Sequence, residues 1–330
     1  MQFEGMTALV TGATGFLGGA LAQRLAAEGA QVRALARREG RDSHLRAVPG
    51  IETVMGDILD EDRMRKVTQG SDYVFHSAAA LGGPLDHQRR VNVGGTRSVA
   101  QAAAAAGVRR MVHVSSIAVY GYSYRGDITE DMPQRPGRPA YNISKAEAEA
   151  ALRQIGAETG LSYSIIRPGM IYGPRSGAWT AQMFRLARNR PTVWLGDGSG
   201  STYPIFVDDV VDLALRLATH PAADGEAFHC APDPSPTWRD FLGGYSRLAG
   251  HESWLGVPVL LVRALAPFIE LGLTLRGTPQ DLALLVKYAT SHRSFRMDKA
   301  RDPLGWQPQV DLQTGIARCA PYLREIGLLK

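Results

Sequence analysis

Short apolar runs alternate with longer helix-like stretches along the first half of the chain. The runs are rich in β-branched residues, which is typical of strands buried on both faces of a parallel sheet. One helix-like stretch contains residues 102–106, an unbroken run of alanine, the strongest helix former. The alternation predicts an α/β domain with a doubly wound parallel sheet. The predicted strands are 6–11, 31–36, 51–56, 72–77, 109–116 and 161–167, and the predicted helices are about 16–28, 60–69, 85–106 and 141–159.

This alternation stops after Arg167. Residues 168–204 are rich in Gly, Pro, Arg and Trp and contain one predicted helix, at about 177–189. A strand, a helix and a second strand follow, and the chain from residue 237 onwards is mostly helical in pattern. We therefore predict a doubly wound domain over 1–167, to which segments at about 205–231 return. A smaller, mostly helical substrate-binding lobe is predicted over 168–330.

The composition is that of a globular protein. Of the 330 residues, 45% are hydrophobic and 21% are charged, which is enough for a sizeable core and excludes disorder over most of the length. The net charge of +5 is spread too diffusely to predict a nucleic-acid partner. Cys230 and Cys319 lie in no metal-binding or redox spacing, so neither a metal site nor a disulfide framework is predicted.

The sequence shows no signal peptide, because the N-terminal stretch carries an acidic residue and leads directly into a strand. Residues 254–275 are the most apolar segment, but they contain two prolines and two charged side chains. A membrane-spanning helix is nearly free of charge, so no span is predicted. We expect a buried helix or a lid here, and contact with a membrane surface stays open. The predicted location is the cytoplasm.

Three glycines follow the first predicted strand, in the run TGATGFLG over 11–18. Gly12 permits a tight turn, Gly15 lets a pyrophosphate approach the backbone, and Gly18 lets the next helix pack closely. The start of that helix offers free N–H groups to phosphate. Such a turn can be purely structural, but its place between a strand and a helix predicts a Rossmann dinucleotide site. Thr14, Phe16 and Leu17 belong to the same turn.

Two arginines, Arg37 and Arg38, end the second predicted strand, where NAD-binding proteins place an acidic residue. A guanidinium suits a 2′-phosphate better than a bare ribose, so the sequence predicts NADP rather than NAD, with Arg37 as the first choice for the contact. Either arginine could instead be an ordinary solvated side chain. Asp57, which ends the third strand beside Ile58, fits two interpretations. It could accept a hydrogen bond from adenine, or it could cap the helix that begins near Asp60.

Tyr141 and Lys145 lie four residues apart at the start of a predicted helix, so both side chains share one face. A phenol with the usual pKa of about 10 is a poor base at neutral pH. A nearby ammonium lowers that pKa, which suits proton transfer to an alcohol oxygen. Ser115 and Ser116 end the fifth strand, at the sheet edge where ligands of such sheets bind. In isolation the Tyr–Lys pair would be an ordinary surface pair, but the serines make a catalytic site the better interpretation.

The chain resembles the extended short-chain dehydrogenase/reductase family over most of its length, because it contains a series of motifs in the order typical of that family. They are TGATGFLG (11–18), GDILD (56–60), VFHSAA (74–79), VNVGGT (91–96), VSSIAVYG (114–121), YNISK (141–145), RPGMIYGP (167–174), FVDDV (206–210) and LGWQP (304–308). The C-terminal lobe resembles that of members similar to 3β-hydroxysteroid dehydrogenases, although more loosely.

The resemblance implies a role for each catalytic residue. Ser116 would polarise the substrate carbonyl, with Ser115 as the second choice, and Tyr141 would act as general acid and base. Lys145 would adjust the pKa of Tyr141 and bind the nicotinamide ribose. The family also commonly forms homodimers. The remaining cofactor-lining positions that the resemblance implies are Ala78, Ala79, Asn92, Pro168 and Gly169.

Two positions depart from the family members that act on nucleotide-sugars. Met170 stands where those enzymes have an asparagine, and Thr202 stands where they commonly have an arginine. Loss of an amide and a cation would weaken an anion site, so we predict a hydrophobic ketone or secondary alcohol, steroid-like or long-chain. Met170, Trp179 and Met183 are the predicted substrate-lining residues, although each could equally belong to the core.

Two other functions stay open. A nucleotide-sugar epimerase or dehydratase with tightly bound NAD(P) is the first, and Arg175 and Arg185 remain as cations that could meet its anionic substrate. A dinucleotide sensor without catalysis is the second, because a fold alone does not fix a function.

Overall fold

The computed structural model describes residues 2–40, 42–275 and 281–330. Strands and helices alternate through the first half of the chain, and short strands with more helices make up the second half. The strands are β1 (Thr7–Thr11), β2 (Gln31–Ala36), β3 (Ile51–Met55), β4 (Tyr73–His76), β5 (Arg110–Val114), β6 (Gly126–Ile128), β7 (Tyr163–Pro168), β8 (Met170–Tyr172), β9 (Thr192–Leu195), β10 (Pro204–Phe206), β11 (Ala227–Cys230), β12 (Trp254–Val257) and β13 (Arg293–Phe295). The helices are α1 (Phe16–Ala27), α2 (Ser43–Arg46), α3 (Glu61–Thr68), α4 (Leu85–Gln88), α5 (Gly95–Ala105), α6 (Ala140–Thr159), α7 (Met183–Ala187), α8 (Val207–Thr219), α9 (Trp238–Leu248), α10 (Val259–Leu275), α11 (Leu282–Thr290), α12 (Asp298–Leu304), α13 (Leu312–Arg318) and α14 (Ala320–Glu325).

Seven strands form one parallel sheet in the order β11-β7-β5-β4-β1-β2-β3. The strand order reverses between β1 and β4, so the chain crosses over in opposite directions on the two sides of this point. A crevice opens there at the carboxyl ends of the strands, where sheets of this kind bind their ligands. The predicted α/β class with a doubly wound parallel sheet is confirmed.

Successive residues of each central strand belong to opposite faces of the sheet. On β5, Met111 packs into the cluster that includes Val99 and Leu152 of α5 and α6, whereas Val112 packs into the cluster that includes Leu21 of α1. Both faces are therefore buried under helices. This explains why the strands read as continuous apolar runs without polar alternation.

Two predicted helices differ in form from the expectation. The predicted helix 85–106 consists of α4, a wider π-helical turn at Arg89–Gly94, and α5. The predicted helix 177–189 is likewise a π-helical turn, Gly177–Gln182, followed by α7. The predictions also missed β6, β8, β9, β12 and β13. These strands have three or four residues each and pair in twos with distant segments, such as β6 with β13, so no local run marks them.

The helix α10 leaves an apolar face exposed. Leu260 is 78% exposed and Phe268 is 74% exposed, while Leu261 and Leu265 are about half exposed. The expectation of a buried helix is therefore wrong for this face. The described part of α10 is apolar on several sides, and α11 packs against one of them. No helix within the described ranges has the length and hydropathy that a membrane span requires.

A buried ion pair fixes the position of α6. Glu149 of α6 accepts hydrogen bonds from Arg167 of β7 at 2.9 and 2.8 Å, and from the hydroxyl of Ser115 at 2.5 Å. Burial disfavours the charged carboxylate, but the hydrogen bonds and charge of Arg167 outweigh this effect and lower the pKa of Glu149. The carboxylate thus joins α6 to β7 and to the residue that follows β5.

Replacing Glu149 by Gln is expected to lower the free energy of unfolding by about 3 kcal/mol at pH 7, because it leaves Arg167 buried without its counter-charge. Urea denaturation measures this loss. Since the pKa of Glu149 is lowered in the folded state, the stabilisation is complete above the ordinary carboxyl pKa and disappears as the pH falls through the lowered value. The difference between the wild type and Glu149→Gln should therefore shrink in acid.

Glu147→Gln is the matched control on the same helix. Glu147 pairs with Arg89 at 2.7 Å, but both side chains are partly exposed, so its loss should cost less than about 1 kcal/mol. Equal losses for the two variants would contradict the assignment of Glu149 as the anchor of α6.

Candidate active site

A cavity of about 510 Å³ follows the carboxyl edge of the sheet across the crevice. It is lined by residues from the glycine turn, from the ends of β2, β3, β4, β5 and β7, and from the start of α6. The predicted site residues that line it are Gly12, Thr14, Gly15, Phe16, Leu17, Arg37, Asp57, Ile58, Ala78, Ala79, Ser115, Ser116, Tyr141, Lys145, Pro168, Gly169 and Trp179.

The glycine turn is tightly packed. Gly12 has a φ of +73°, and a Cβ atom there would lie 2.7 Å from the backbone nitrogen of Ala78. A Cβ atom on Gly18 would lie 2.2 Å from the carbonyl oxygen of Gly12. The helix α1 begins after Gly15, and no side chain caps its N-terminus. The first N–H groups of α1 are therefore available to an anion in the cavity.

The residues that follow β2 and β3 differ in whether their side chains reach the cavity. Arg37 is exposed and lines the cavity, whereas Arg38 is exposed and does not line it. Asp57 also lines the cavity, and its carboxylate accepts a hydrogen bond from the backbone nitrogen of Leu59 at 3.0 Å. The N-cap of α3 is Asp60, so the interpretation of Asp57 as the cap is wrong.

Asn92 and Met183 do not line the cavity, contrary to the prediction. The amide of Asn92 is buried and bonds both backbone groups of Ala80, at 2.7 and 3.0 Å, so it supports the cavity wall from behind. Met183 packs in the hydrophobic core of α7, as in the alternative left open for it. Met170 is buried just outside the lining, and the phenol of Tyr288 donates to its sulfur at 3.0 Å.

Several cavity-lining residues were missed by the sequence analysis. Ser77 directly follows β4, and its hydroxyl donates to the carbonyl of Thr11 at 2.7 Å. Its position directly after a buried strand could have predicted a place in the site, as the same position did for Ser115. The segment Ser176–Trp179 closes the other end of the cavity, and its sequence held no such signal apart from Trp179.

The structure brings Ser116, Tyr141 and Lys145 together in this cavity. Ser116 caps the short helical turn Ile117–Tyr120, and its side chain is close enough to the Tyr141 phenol to oppose the effect of burial on the pKa of that phenol. Tyr141 and Lys145 occupy the first two turns of α6. The ammonium of Lys145 donates to the carbonyl of Val114, at the end of β5, at 2.8 Å. Ser116 thus follows the carboxyl end of β5, and Tyr141 and Lys145 come from the start of α6.

Burial controls the protonation of two of these groups. It raises the pKa of Tyr141 to about 12, against the opposing effect of the Ser116 hydrogen bond. It lowers the pKa of Lys145 to about 8, against the opposing charge of Glu149. The expectation that Lys145 lowers the pKa of Tyr141 below its usual value is not met here, because the cost of burying a phenolate dominates. At neutral pH the phenol is protonated and can donate to a carbonyl oxygen.

The fold and the site define an oxidoreductase of the short-chain type, and comparisons with known proteins agree. The profile of the NAD dependent epimerase/dehydratase family matches residues 8–231. The chain belongs to this family, whose relatives are extended short-chain dehydrogenases/reductases. It is an NAD(P)-dependent enzyme that acts on CH–OH or C=O groups.

Three relatives show the range of activities. A UDP-glucose 4-epimerase of Mycolicibacterium smegmatis is 33% identical, over 97% of this chain and 99% of its own. A 4-hydroxy-2-methyl-3-oxo-4-farnesyl-3,4-dihydroquinoline-1-oxide ketoreductase of Stigmatella aurantiaca is 30% identical, over 94% and 95%. Sterol demethylase protein B of Methylococcus capsulatus is 30% identical, over 98% and 100%.

The fold is also that of solved structures. A UDP-glucose 4-epimerase of Thermotoga maritima superimposes with a TM-score of 0.78 at 22% identity, over 97% of this chain and 99% of that one. At this level of identity the likeness concerns the fold.

Replacing Gly18 by Ala is expected to weaken dinucleotide binding and to cost about 1–3 kcal/mol of stability, because the new methyl group would overlap the carbonyl oxygen of Gly12. Calorimetric titration with the dinucleotide and thermal denaturation measure the two effects. Gly94→Ala is the control, since a Cβ atom there finds its nearest neighbour, Leu59, at 3.7 Å. Unchanged dinucleotide affinity in Gly18→Ala would show that the turn does not hold the phosphates.

Proposed function

We propose that this protein is an NADP-dependent reductase of a ketone on a hydrophobic small molecule, or the reverse dehydrogenase. The observation that carries the proposal is the presence of Ser116, Tyr141 and Lys145 in the same cavity as the glycine turn. In the reductive direction the carbonyl carbon gains a hydride and its oxygen gains the proton of Tyr141, so the ketone becomes a secondary alcohol. The lobe at 168–330, apart from the segments returning at 205–231, would enclose the substrate.

The residues present fit a dinucleotide. A Cβ atom at Gly12 or Gly18 would overlap neighbouring backbone atoms, so the turn accepts only glycine at these positions. The N-terminus of α1, which no side chain caps, faces the cavity. The N–H groups of Phe16 and Leu17 would hold the pyrophosphate, because that of Gly15 already donates to the carbonyl of Gly12 at 2.9 Å, and Arg37 would hold a 2′-phosphate. Asp57 and Ile58 would border the adenine, and Pro168 and Gly169 the nicotinamide. When bound, the reduced cofactor supplies the hydride.

The three catalytic side chains would then divide the work. Tyr141, with a pKa of about 12, holds its proton until the carbonyl oxygen becomes basic. Ser116 donates a second hydrogen bond to that oxygen and so orients the carbonyl. Lys145, with a pKa of about 8, is still mainly cationic at neutral pH and stabilises the phenolate that Tyr141 becomes.

A hydrophobic substrate is supported by the side chains beside this site. Met170 and Thr202 occupy positions where the nucleotide-sugar enzymes of the family carry polar or cationic groups, and both are buried. Trp179 lines the cavity as predicted. The relatives named for a farnesylated ketone and for a sterol, each 30% identical, point to the same substrate class.

The second candidate function is a nucleotide-sugar epimerase, which the relative at 33% identity supports. An epimerase regenerates its cofactor in each cycle and retains it. Absorbance of the purified protein at 340 nm, before and after addition of sodium borohydride, would detect a bound oxidised cofactor. Such a cofactor, with no consumption of added NADPH, would favour the epimerase.

Replacing Tyr141 by Phe is expected to lower turnover of a ketone by about 100- to 10,000-fold, because the proton donor is removed. NADPH affinity should stay unchanged, since the phenyl ring remains in place. Steady-state NADPH consumption and a fluorescence titration measure the two quantities. Tyr124→Phe is the control, because the Tyr124 phenol donates to the carbonyl of Pro133 and does not line the cavity. Turnover in Tyr141→Phe close to that of the wild type would refute the role of Tyr141.

Replacing Arg37 by Ala is expected to weaken NADPH binding by about 10- to 100-fold, which corresponds to the loss of a hydrogen bond between charged groups. NADH binding should change little, because NADH lacks the 2′-phosphate. Arg38→Ala is the control, since Arg38 is equally exposed but does not line the cavity. An equal effect of Arg37→Ala on both dinucleotides would contradict the preference for NADP.

A further inference from the structure

Arg293 is a buried cation without a counter-ion. It is 4% exposed and begins β13. The other buried arginines of the described ranges, Arg110 and Arg167, each lie within 4 Å of a carboxylate, whereas no ion pair of the described residues includes Arg293. A guanidinium stays charged at any physiological pH, and burying it without a carboxylate is unfavourable by several kcal/mol.

One edge of this guanidinium meets no carbonyl or carboxylate of the described residues, although the phenol of Tyr203 lies beside the group. Nη1 donates to the carbonyl of Gly121. Nε is buried and has no hydrogen-bond partner among the described residues. The edge formed by Nε and Nη2 receives no carbonyl or carboxylate group from the described chain. This edge is the one that binds a carboxylate through two parallel hydrogen bonds.

Aromatic rings surround the rest of the group. The guanidinium carbon lies 5.2 Å from the ring centre of Tyr122, 5.7 Å from that of Tyr203 and 5.8 Å from that of Phe295. Such contacts stabilise a cation and offset part of the cost of burial. The rings also hold the guanidinium in one orientation.

Arg293 connects directly to the catalytic residues. Gly121, its carbonyl partner, ends the short turn that Ser116 caps. The side chain of Asn142, the neighbour of Tyr141, is near enough to Tyr122 to oppose the rise that burial causes in the pKa of that phenol. Tyr122 also contacts Tyr288, at 5.5 Å between ring centres, and Tyr288 donates to the sulfur of Met170. Through Tyr288 the arginine and its rings therefore join Met170, a position that the sequence analysis assigned to the substrate, although none of them lines the cavity described above.

From this geometry we infer that Arg293 binds a carboxylate of the substrate, so that the preferred substrate is an apolar ketone that also carries a carboxylate, such as a 3-oxo acid. The inference rests on the proposed function. Arg293 fixes the acid end, while Ser116 and Tyr141 bind the ketone oxygen. The carboxylate supplies the charge that the protein does not place beside Arg293.

The test compares a medium-chain 3-oxo acid with its methyl ester, which has the same chain and ketone but no charge. The wild type should reduce the acid with a kcat/KM about 10- to 100-fold above that of the ester. Arg293→Met should abolish this preference, because kcat/KM should fall much further for the acid than for the ester. Arg293→Lys keeps the charge but cannot form two parallel hydrogen bonds, so it should lose most of the preference for the acid. This variant serves as the test if Arg293→Met does not fold.

Arg296→Met is the control, three residues further along the chain, where the guanidinium pairs with Asp298 and is partly exposed. It should retain the preference for the acid. A wild type without such a preference would overturn the inference. So would an equal fall for acid and ester in the Arg293 variants, since that pattern indicates a structural role.

If the wild type binds NADPH and reduces neither compound, the proposed function fails, and calorimetric binding of the acid decides the inference separately. Binding to the wild type that is lost in Arg293→Met supports it, and equal binding to both proteins overturns it.

Discussion

The buried pairing of Glu149 with Arg167 determines where the catalytic helix lies. Glu149 is one turn after Lys145 on α6, and its carboxylate also accepts from the Ser115 hydroxyl at the end of β5. Arg167 donates in addition to the phenol of Tyr120, and that phenol is 2.9 Å from a ring nitrogen of His229 on β11. One carboxylate therefore positions α6 against β5, β7 and β11. Because the Glu149 carboxylate is almost fully screened from water, the loss of a hydrogen-bond partner would destabilise the position of α6.

The same burial decides how the site handles protons. A buried phenol and a buried ammonium both shift toward their neutral forms, which raises the pKa of Tyr141 and lowers that of Lys145. Glu149 limits the second shift, so the residue that anchors α6 also keeps Lys145 charged near neutral pH. The site then holds little negative charge until Tyr141 gives up its proton. In the proposed reaction the Ser116 hydroxyl and the ammonium of Lys145 would then stabilise the phenolate, as a preorganised site requires.

The sequence predicted the parts that depend on local pattern. Strands buried on both faces read as apolar runs, so the six strands of the first half lie within two or three residues of their predicted bounds. The glycine turn and the spacing of Tyr141 and Lys145 were equally local. Contacts between distant segments were not predictable. The amide of Asn92 is bonded to Ala80 and does not line the site cavity, and β13 exists because it pairs with β6, more than 160 residues earlier. The pKa of Tyr141 was misjudged because burial cannot be read from spacing.

The two halves of the chain meet at the turn between Ser116 and Gly121. Ser116, at the start of this turn, carries the hydroxyl near Tyr141. Gly121, at its end, carries the carbonyl that accepts a hydrogen bond from Arg293 of the second half. The proposed catalytic groups thus come from the sheet and α6, whereas the segment that β13 brings alongside would determine the chemistry of the substrate. Arg167 and Arg293 illustrate this division. Each is a buried arginine, but Glu149 neutralises the first, whereas no carboxylate of the described residues pairs with the second.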